Sequence, residues 1–142
     1  MTSALRLPSM RKEEADLRDR AWAALDELNL TDVAYSPAAG LPFGTLKRIE
    51  LARALIANPR LIMLDEPASG LTHAEVDSLA QDIKDLRDRH NLTVLLVEHH
   101  MRMVLGISEK LVVLNFGRKI ADGDPDVVRN DPEVIEAYLG SS

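Results

Sequence analysis

The chain has 142 residues, 46% of them hydrophobic, which suits one packed domain or part of a larger one. Its net charge of −6 argues against a nucleic-acid-binding protein, because such proteins neutralise phosphates with Lys and Arg. The sequence has no cysteine, which excludes disulfides and thiolate metal sites. No apolar run approaches the roughly 20 residues that cross a bilayer, so we expect no direct membrane insertion.

The first half of the chain predicts two helices. One covers about 9–28, with apolar residues on one face, and the other covers 45–57. A loop at 35–40, which contains Pro and Gly, separates them. The second helix is apolar on most sides, so we expect it to be buried. An apolar run at 61–64 then predicts a strand that is covered on both faces.

The second half continues the alternation of helices and strands. Thr72 and Glu75 form a capping-box pattern, which opens a helix with four apolar residues facing inward: Val76, Leu79, Ile83 and Leu86. Further on, the pattern predicts strands at 92–97, 110–114 and 118–121, a helix at about 100–106, and two short closing helices. The fold class is therefore α/β with a mainly parallel sheet. The last two strands, which flank a turn at 115–117, could be antiparallel.

Two adjacent carboxylates, Asp65 and Glu66, follow the first predicted strand. The carboxyl edge of a parallel sheet is where ligands bind, and carboxylate oxygens suit Mg²⁺ and an attacking water. The alternative interpretation is an acidic helix cap or a solvated loop. The motif alone does not decide between the two.

The strand at 92–97 also ends in polar residues, Glu98, His99 and His100. A single histidine in such a place is more often structural than catalytic. Zinc is a further option, but neighbours on one strand point to opposite faces. We therefore do not expect these residues to share one ion.

A third pattern, at 41–45, leads directly into the second helix. Gly44 at a helix start lets an anion approach bare backbone N–H groups, with help from the helix dipole. Taken alone, an ordinary loop-to-helix turn explains this pattern better.

The order of these motifs changes the interpretation. Residues 41–55, followed by Asn58-Pro59 and 61–67, closely resemble the signature and Walker B region of ABC-type ATPases. Residues 68–72 look like the D-loop of that family, and His99 lies where the family has its switch histidine. The resemblance extends over nearly the whole chain. The segments 103–108 and 123–140 are similar to the ATPase subunits of branched-chain amino-acid importers.

The resemblance implies a metal-binding role for one residue and catalytic roles for two others. Asp65 would hold the Mg²⁺ shell, and Glu66 would orient or deprotonate the attacking water. His99 would contact the γ-phosphate of ATP and help to position that water. Catalysis of this kind depends on positioning and charge stabilisation.

Other residues are implied to contact nucleotide across a dimer. Gly44 and Thr45 would face the γ-phosphate of ATP bound to an opposing subunit. Gly70, Leu71 and Thr72 would line the interface between the two sites.

The family also implies cofactors, partners and a location for the complete parent protein. ATP and Mg²⁺ would be bound, and the partners would be transmembrane permease subunits and a second ATPase subunit. The parent would be cytoplasmic and peripheral, held at the inner face of the membrane by its partners. Within the chain, residues 1–57 would be part of the helical signature subdomain, and 58–142 part of the ATPase core.

Several positions depart from the family pattern. Pro42 and Phe43 stand where the signature usually has Ser and Gly, so phosphate contact would depend on Gly44, Thr45 and the helix end. We interpret this as a trait of the amino-acid importer group. His100 stands where that group commonly has Asp, and the sequence does not indicate what this difference does.

The larger departure is a missing motif. The sequence contains no Gly-x-x-x-x-Gly-Lys-Ser/Thr loop, which supplies the phosphate cradle in this family. The Gln-containing loop that joins the core to the membrane subunit is absent too. Met1 is therefore predicted to lie inside the helical subdomain. We expect the chain alone neither to bind ATP tightly nor to hydrolyse it. Without the strands that would normally cover them, the predicted strands would expose apolar surface and unpaired edges. We therefore also expect self-association, with swapped elements as one form of it.

Two other functions remain open from the sequence. The chain could be a non-catalytic interaction module that docks on an intact ABC ATPase subunit, although Glu66 and His99 are not needed for docking. An ABC ATPase of DNA repair is disfavoured by the negative charge and by the lack of a long heptad insertion.

Overall fold

The structure is a computed structural model, and it describes residues 8–139. In chain order the elements are helix α1 (Pro8–Glu27), helix α2 (Phe43–Ile56), strand β1 (Leu61–Asp65), helix α3 (His73–His90), strand β2 (Thr93–Val97), helix α4 (Met101–Ile107), strands β3 (Leu111–Asn115) and β4 (Arg118–Gly123), and short helices α5 (Pro125–Val128) and α6 (Pro132–Val134). A 3₁₀ turn at Thr31–Val33 and a π-helical turn at Ile135–Leu139 complete the described chain. None of its helices is long and apolar enough to span a membrane.

The described residues form two compact units. The first comprises the residues up to Met63 together with Leu86–Leu95, and the second comprises Leu64–Asp85 with the residues from Leu96 onward. The predicted division of the chain at residue 57 stays a prediction.

Helices α1 and α2 pack together in the first unit. Of the apolar residues on the first predicted helix, Ala24 is buried within α1 and Leu28 is buried just beyond its end, whereas Leu17 is exposed. The expected burial of α2 was wrong for most of its length. Its fully buried residues are Leu51 and Ala52, and most other positions are half-buried.

Helix α3 begins as its sequence predicts. The Thr72 N–H donates to Glu75 Oε2 at 2.9 Å, and the Glu75 N–H donates to Thr72 Oγ1 at 3.4 Å, which completes a capping box. The four predicted inward residues, Val76, Leu79, Ile83 and Leu86, are all buried. The last turn is tied to α1, because Arg89 Nη1 and His90 Nε2 each lie 2.8 Å from a Glu27 carboxylate oxygen.

Strands β1 and β2 form a parallel pair. The Thr93 N–H donates to the Arg60 carbonyl at one end, and the Glu66 N–H donates to the Val97 carbonyl at the other, so both strands run in the same direction. The predicted burial of both faces was wrong, because exposure alternates along each strand. Leu61, Met63 and Leu95 are 51%, 69% and 54% exposed. We call these three residues the open sheet face.

Strands β3 and β4 form the predicted antiparallel hairpin. Phe116 and Gly117 both have positive φ, 45° and 77°, as a type I′ hairpin turn requires. Behind the hairpin lies an apolar cluster of buried residues, Leu111, Val128 and Val134. The α/β class is confirmed, but in place of one mainly parallel sheet the described residues form two separate strand pairs, one parallel and one antiparallel.

Candidate functional site

Asp65 and Glu66 lie where β1 ends, and both are exposed. Glu66 extends the pairing by one residue, because its N–H donates to the Val97 carbonyl at 2.8 Å. Its φ of 44° is in the left-handed region, which costs a non-glycine residue of the order of 1 kcal/mol. The chain then turns, and the Ser69 N–H donates to the Glu66 carbonyl at 3.1 Å. The backbone is thus held in a sparsely populated conformation at the residue that the sequence predicts to act on water.

His99 lies beside Glu66. Its Nδ1 is 3.7 Å from Glu66 Oε1, and the two side chains are 58% and 53% exposed. The distance is longer than a hydrogen bond, so the two side chains are close without being hydrogen-bonded to each other. The structure therefore brings together a carboxylate and an imidazole from the ends of two neighbouring strands, both open to solvent.

Glu98, which precedes His99, is the buried polar centre of this region. Its side chain is 0% exposed. Oε1 accepts from the Ala68 N–H at 2.7 Å. Oε2 accepts from the His99 N–H at 3.0 Å, the His100 N–H at 3.3 Å and His100 Nδ1 at 2.9 Å. Sequence reasoning considered Glu98 only as a zinc ligand. No local pattern could have identified its role, because its partner Ala68 lies 30 residues earlier in the chain.

The pKa of Glu98 is set by opposing effects. Desolvation by burial is the largest single effect and raises the pKa. The hydrogen bonds from the His100 side chain and from the Ala68, His100 and His99 N–H groups lower it and outweigh the burial. The net pKa of Glu98 lies below its usual value of 4.5, so the carboxylate is ionised at neutral pH.

The lowered pKa of Glu98 predicts that this residue contributes to the loss of folded-state stability at acid pH. A carboxyl whose pKa is lowered on folding stabilises the folded state above its unfolded pKa, and that stabilisation is lost as the pH falls through the folded pKa. We expect the free energy of unfolding to fall more steeply in the wild type than in Glu98→Gln between about pH 5 and pH 3. Urea titrations of both proteins across that pH range would measure these free energies of unfolding. Equal slopes for the two proteins would contradict the assignment.

The ligand atoms of Glu98, His99 and His100 lie within 4.8 Å of one another. The expectation that neighbouring side chains point to opposite faces here was wrong. Strand β2 ends at Val97, and side chains alternate between faces only within the strand. The centroids of the two imidazole rings lie 4.5 Å apart, with the ring planes tilted by 34°. However, the Glu98 carboxylate already accepts four hydrogen bonds and has no exposed surface. The cluster is better explained as a hydrogen-bonded unit than as a metal site.

Gly44 and Thr45 lie in the first turn of α2, which begins at Phe43, two residues earlier than predicted. The first intrahelical bond runs from the Leu46 N–H to the Pro42 carbonyl, so the N–H groups of residues 43–45 have no acceptor within the helix. Pro42 provides no side-chain cap. Lys47 Nζ lies 5.5 Å from the centre of the Phe43 ring, a cation–π contact that gives Phe43 a packing partner.

Gly70, Leu71 and Thr72 link the candidate site to α3. Gly70 has a φ of 80°, and the Leu71 N–H donates to the Ala68 carbonyl at 3.1 Å, which makes a tight turn. The Thr72 hydroxyl donates to Glu75 Oε2 at 2.7 Å within the capping box. Thr72 therefore has a structural role, in addition to any contact with nucleotide.

Comparisons with known proteins agree with this arrangement. A family model described as ABC transporter matches residues 3–69, and one described as branched-chain amino acid ATP-binding cassette transporter matches residues 118–142. The chain is 43% identical over all of its 142 residues to the high-affinity branched-chain amino acid transport ATP-binding protein BraF of Pseudomonas aeruginosa. The chain belongs to the ATP-binding cassette family.

Another relative and a solved structure of this family also match most of the chain. The high-affinity branched-chain amino acid transport ATP-binding protein LivG of Escherichia coli K12 is 42% identical over 97% of the chain. Among solved structures, an ATP-binding cassette of an ABC transporter in its ADP conformation matches 89% of the chain with a TM-score of 0.79 and 30% identity. The chain spans about half the length of each, namely 56% of BraF, 54% of LivG and 51% of the solved cassette.

Proposed function

We propose that this chain carries the water-activating part of an ABC importer ATPase that drives the uptake of branched-chain amino acids. The observation that carries the proposal is the 3.7 Å approach of His99 Nδ1 to Glu66 Oε1 at the open ends of two parallel strands. The solute is inferred from BraF and LivG, two branched-chain amino acid transport ATP-binding proteins that match nearly the whole chain.

The chemistry assigns a different task to each group. Glu66 accepts a proton from the attacking water or orients that water toward the γ-phosphorus, since an exposed carboxylate is a competent proton acceptor. His99 donates to a γ-phosphate oxygen and steadies that water. Asp65 offers exposed carboxylate oxygens, the ligands that Mg²⁺ prefers, so the donor set fits that ion. When bound, Mg²⁺ would neutralise charge on the phosphates.

The remaining predicted site residues would act between subunits. The uncapped first turn of α2, with Gly44 and Thr45, presents N–H groups to the γ-phosphate of a nucleotide on a second ATPase subunit. Gly70, Leu71 and Thr72 would line that dimer interface. Transmembrane permease subunits would be the other partners, and they would hold the ATPase at the cytoplasmic face of the membrane.

The first test measures nucleotide binding and hydrolysis. We expect isothermal titration of the chain with Mg-ATP to show no micromolar binding, because its 142 residues contain no phosphate-binding loop. A chimera that places the upstream part of BraF before this chain is expected to hydrolyse Mg-ATP. It should also restore leucine uptake to cells that lack LivG.

Each outcome separates the proposal from its rival. A folded chimera that binds ATP but never hydrolyses it would reject the catalytic assignment. It would favour a non-catalytic module that docks on an intact ABC ATPase subunit. Hydrolysis without leucine uptake would retain the ATPase assignment and reject the branched-chain solute.

A further inference from the structure

We propose that Glu98 is a positioning residue, which fixes the segment that carries Glu66 to the segment that carries His99. The inference rests on the proposed function, since it concerns the same pair of groups. Glu98 does not face the solvent at the site, and its side chain has no exposed surface. It acts through its neighbours.

The hydrogen bonds of Glu98 connect two segments that are distant in sequence. Oε1 accepts from the N–H of Ala68, which lies two residues after Glu66. Oε2 accepts from the N–H groups of His99 and His100 and from the His100 ring. One carboxylate thus fastens the turn after β1 to the turn after β2, and the 3.7 Å distance between Glu66 and His99 spans the same two turns.

The segment on the β1 side is held firmly. Pro67 and Ala68 are buried, with Ala68 at 0% exposure, and Pro67 fixes its own φ. The Ala68 amide therefore has little freedom, and the 2.7 Å bond to Oε1 sets where Glu98 lies. His99 is bonded to Glu98 through its own N–H, so the carboxylate fixes the stretch of backbone from which the His99 ring extends.

The chemistry of the site requires a carboxylate. Four donors converge on two oxygens, and an ionised carboxylate is acceptor-only with about four lone-pair sites. A glutamine of the same shape has one oxygen and two N–H donors, so one of the two segments would face a donor instead of an acceptor. Glu98→Gln is therefore nearly isosteric but breaks the link on one side.

His100 completes this arrangement. Because an ionised carboxylate only accepts, His100 Nδ1 must carry the hydrogen in its 2.9 Å bond to Oε2. The histidine contributes a side-chain donor, so this chain supports Glu98 with one more hydrogen bond than backbone amides alone would supply.

The test uses the chain itself and solution NMR. In the wild type we expect slow exchange of the Ala68 amide and a nuclear Overhauser effect between the His99 ring and the Glu66 side chain. In Glu98→Gln, Ala68 exchange should rise by about tenfold or more, and the Overhauser effect should be lost. Amides of the β3–β4 hairpin should keep their protection, which shows that the variant is folded. Glu136→Gln, which removes an exposed carboxylate, is the matched control.

A second pair of variants keeps the test decisive if Glu98→Gln does not fold. His100→Ala removes one donor of the four, and we expect faster Ala68 exchange and a weaker His99–Glu66 Overhauser effect. His100→Asn carries an N–H close to the position of Nδ1 and should restore both toward the wild type. A purely structural role would leave the His99–Glu66 effect intact in every folded variant, and that result would overturn the proposal.

The outcome is independent of the test of function. A chimera that hydrolyses ATP, together with an undisturbed His99–Glu66 pair in Glu98→Gln, would reject positioning by Glu98 and retain the ATPase assignment. An inactive chimera together with a disturbed pair would support the positioning and reject the proposed function.

Discussion

Replacing Glu66 by Gln in the BraF chimera is expected to lower kcat for ATP hydrolysis by roughly 100-fold or more, with little change in KM for ATP. Glutamine keeps the size of the side chain but cannot accept a proton from water. The amide oxygen can still receive a hydrogen bond, so nucleotide binding should survive. A steady-state assay with a range of Mg-ATP concentrations separates the two parameters.

The control for this variant removes the same charge elsewhere. Glu136→Gln neutralises an exposed carboxylate, and its kcat should stay close to that of the unmodified chimera. His99→Ala should lower kcat as well, because His99 is the group beside Glu66. If Glu66→Gln keeps its turnover, the carboxylate has no catalytic role and the water must be activated by another group.

The isolated chain is expected to self-associate at concentrations of tens of micromolar, about where modest apolar interfaces form. The reason is the open sheet face, where Leu61, Met63 and Leu95 are each more than half exposed. Apolar side chains on a two-stranded sheet gain free energy when a second surface covers them. Sedimentation velocity should show species heavier than 15.7 kDa, in proportions that rise with concentration.

Charge placed on that face should weaken the association. Met63→Lys and Leu95→Lys are expected to shift the sedimentation profile toward monomer, since a lysine at an apolar contact must be desolvated. Val127→Lys changes a residue on a short helix that is as exposed as Met63, 69%, and should leave the profile unchanged. A wild-type chain that stays monomeric at high concentration would show that the open sheet face does not drive self-association.

Features encoded locally were predicted well. The capping box of Thr72 and Glu75, the inward face of α3 and the β3–β4 turn each depend on residues a few positions apart. Local hydrogen bonding and periodicity therefore determine them. The ends of β1 and β2 could likewise be placed to within one residue, because an apolar run stops at a charged one.

Features that depend on tertiary contacts were predicted less well. Hydrophobicity shows which side chains tend to be covered, but coverage needs a second surface. The sequence therefore predicted burial for positions of β1 that are exposed and for positions of α2 that are half-buried. Glu98 was missed for a related reason. Its role depends on the Ala68 amide, 30 residues earlier, and no local pattern encodes that approach.

The pairing of Trp22 with Tyr35 has a practical consequence. Their rings meet edge to face at 5.9 Å within the first unit, and the sequence contains one tryptophan in all. Intrinsic fluorescence excited at the indole band therefore reports the melting of that unit alone, without an attached dye. Its transition, overlaid on circular dichroism of the whole chain, would reveal whether the two compact units unfold in one step or in two.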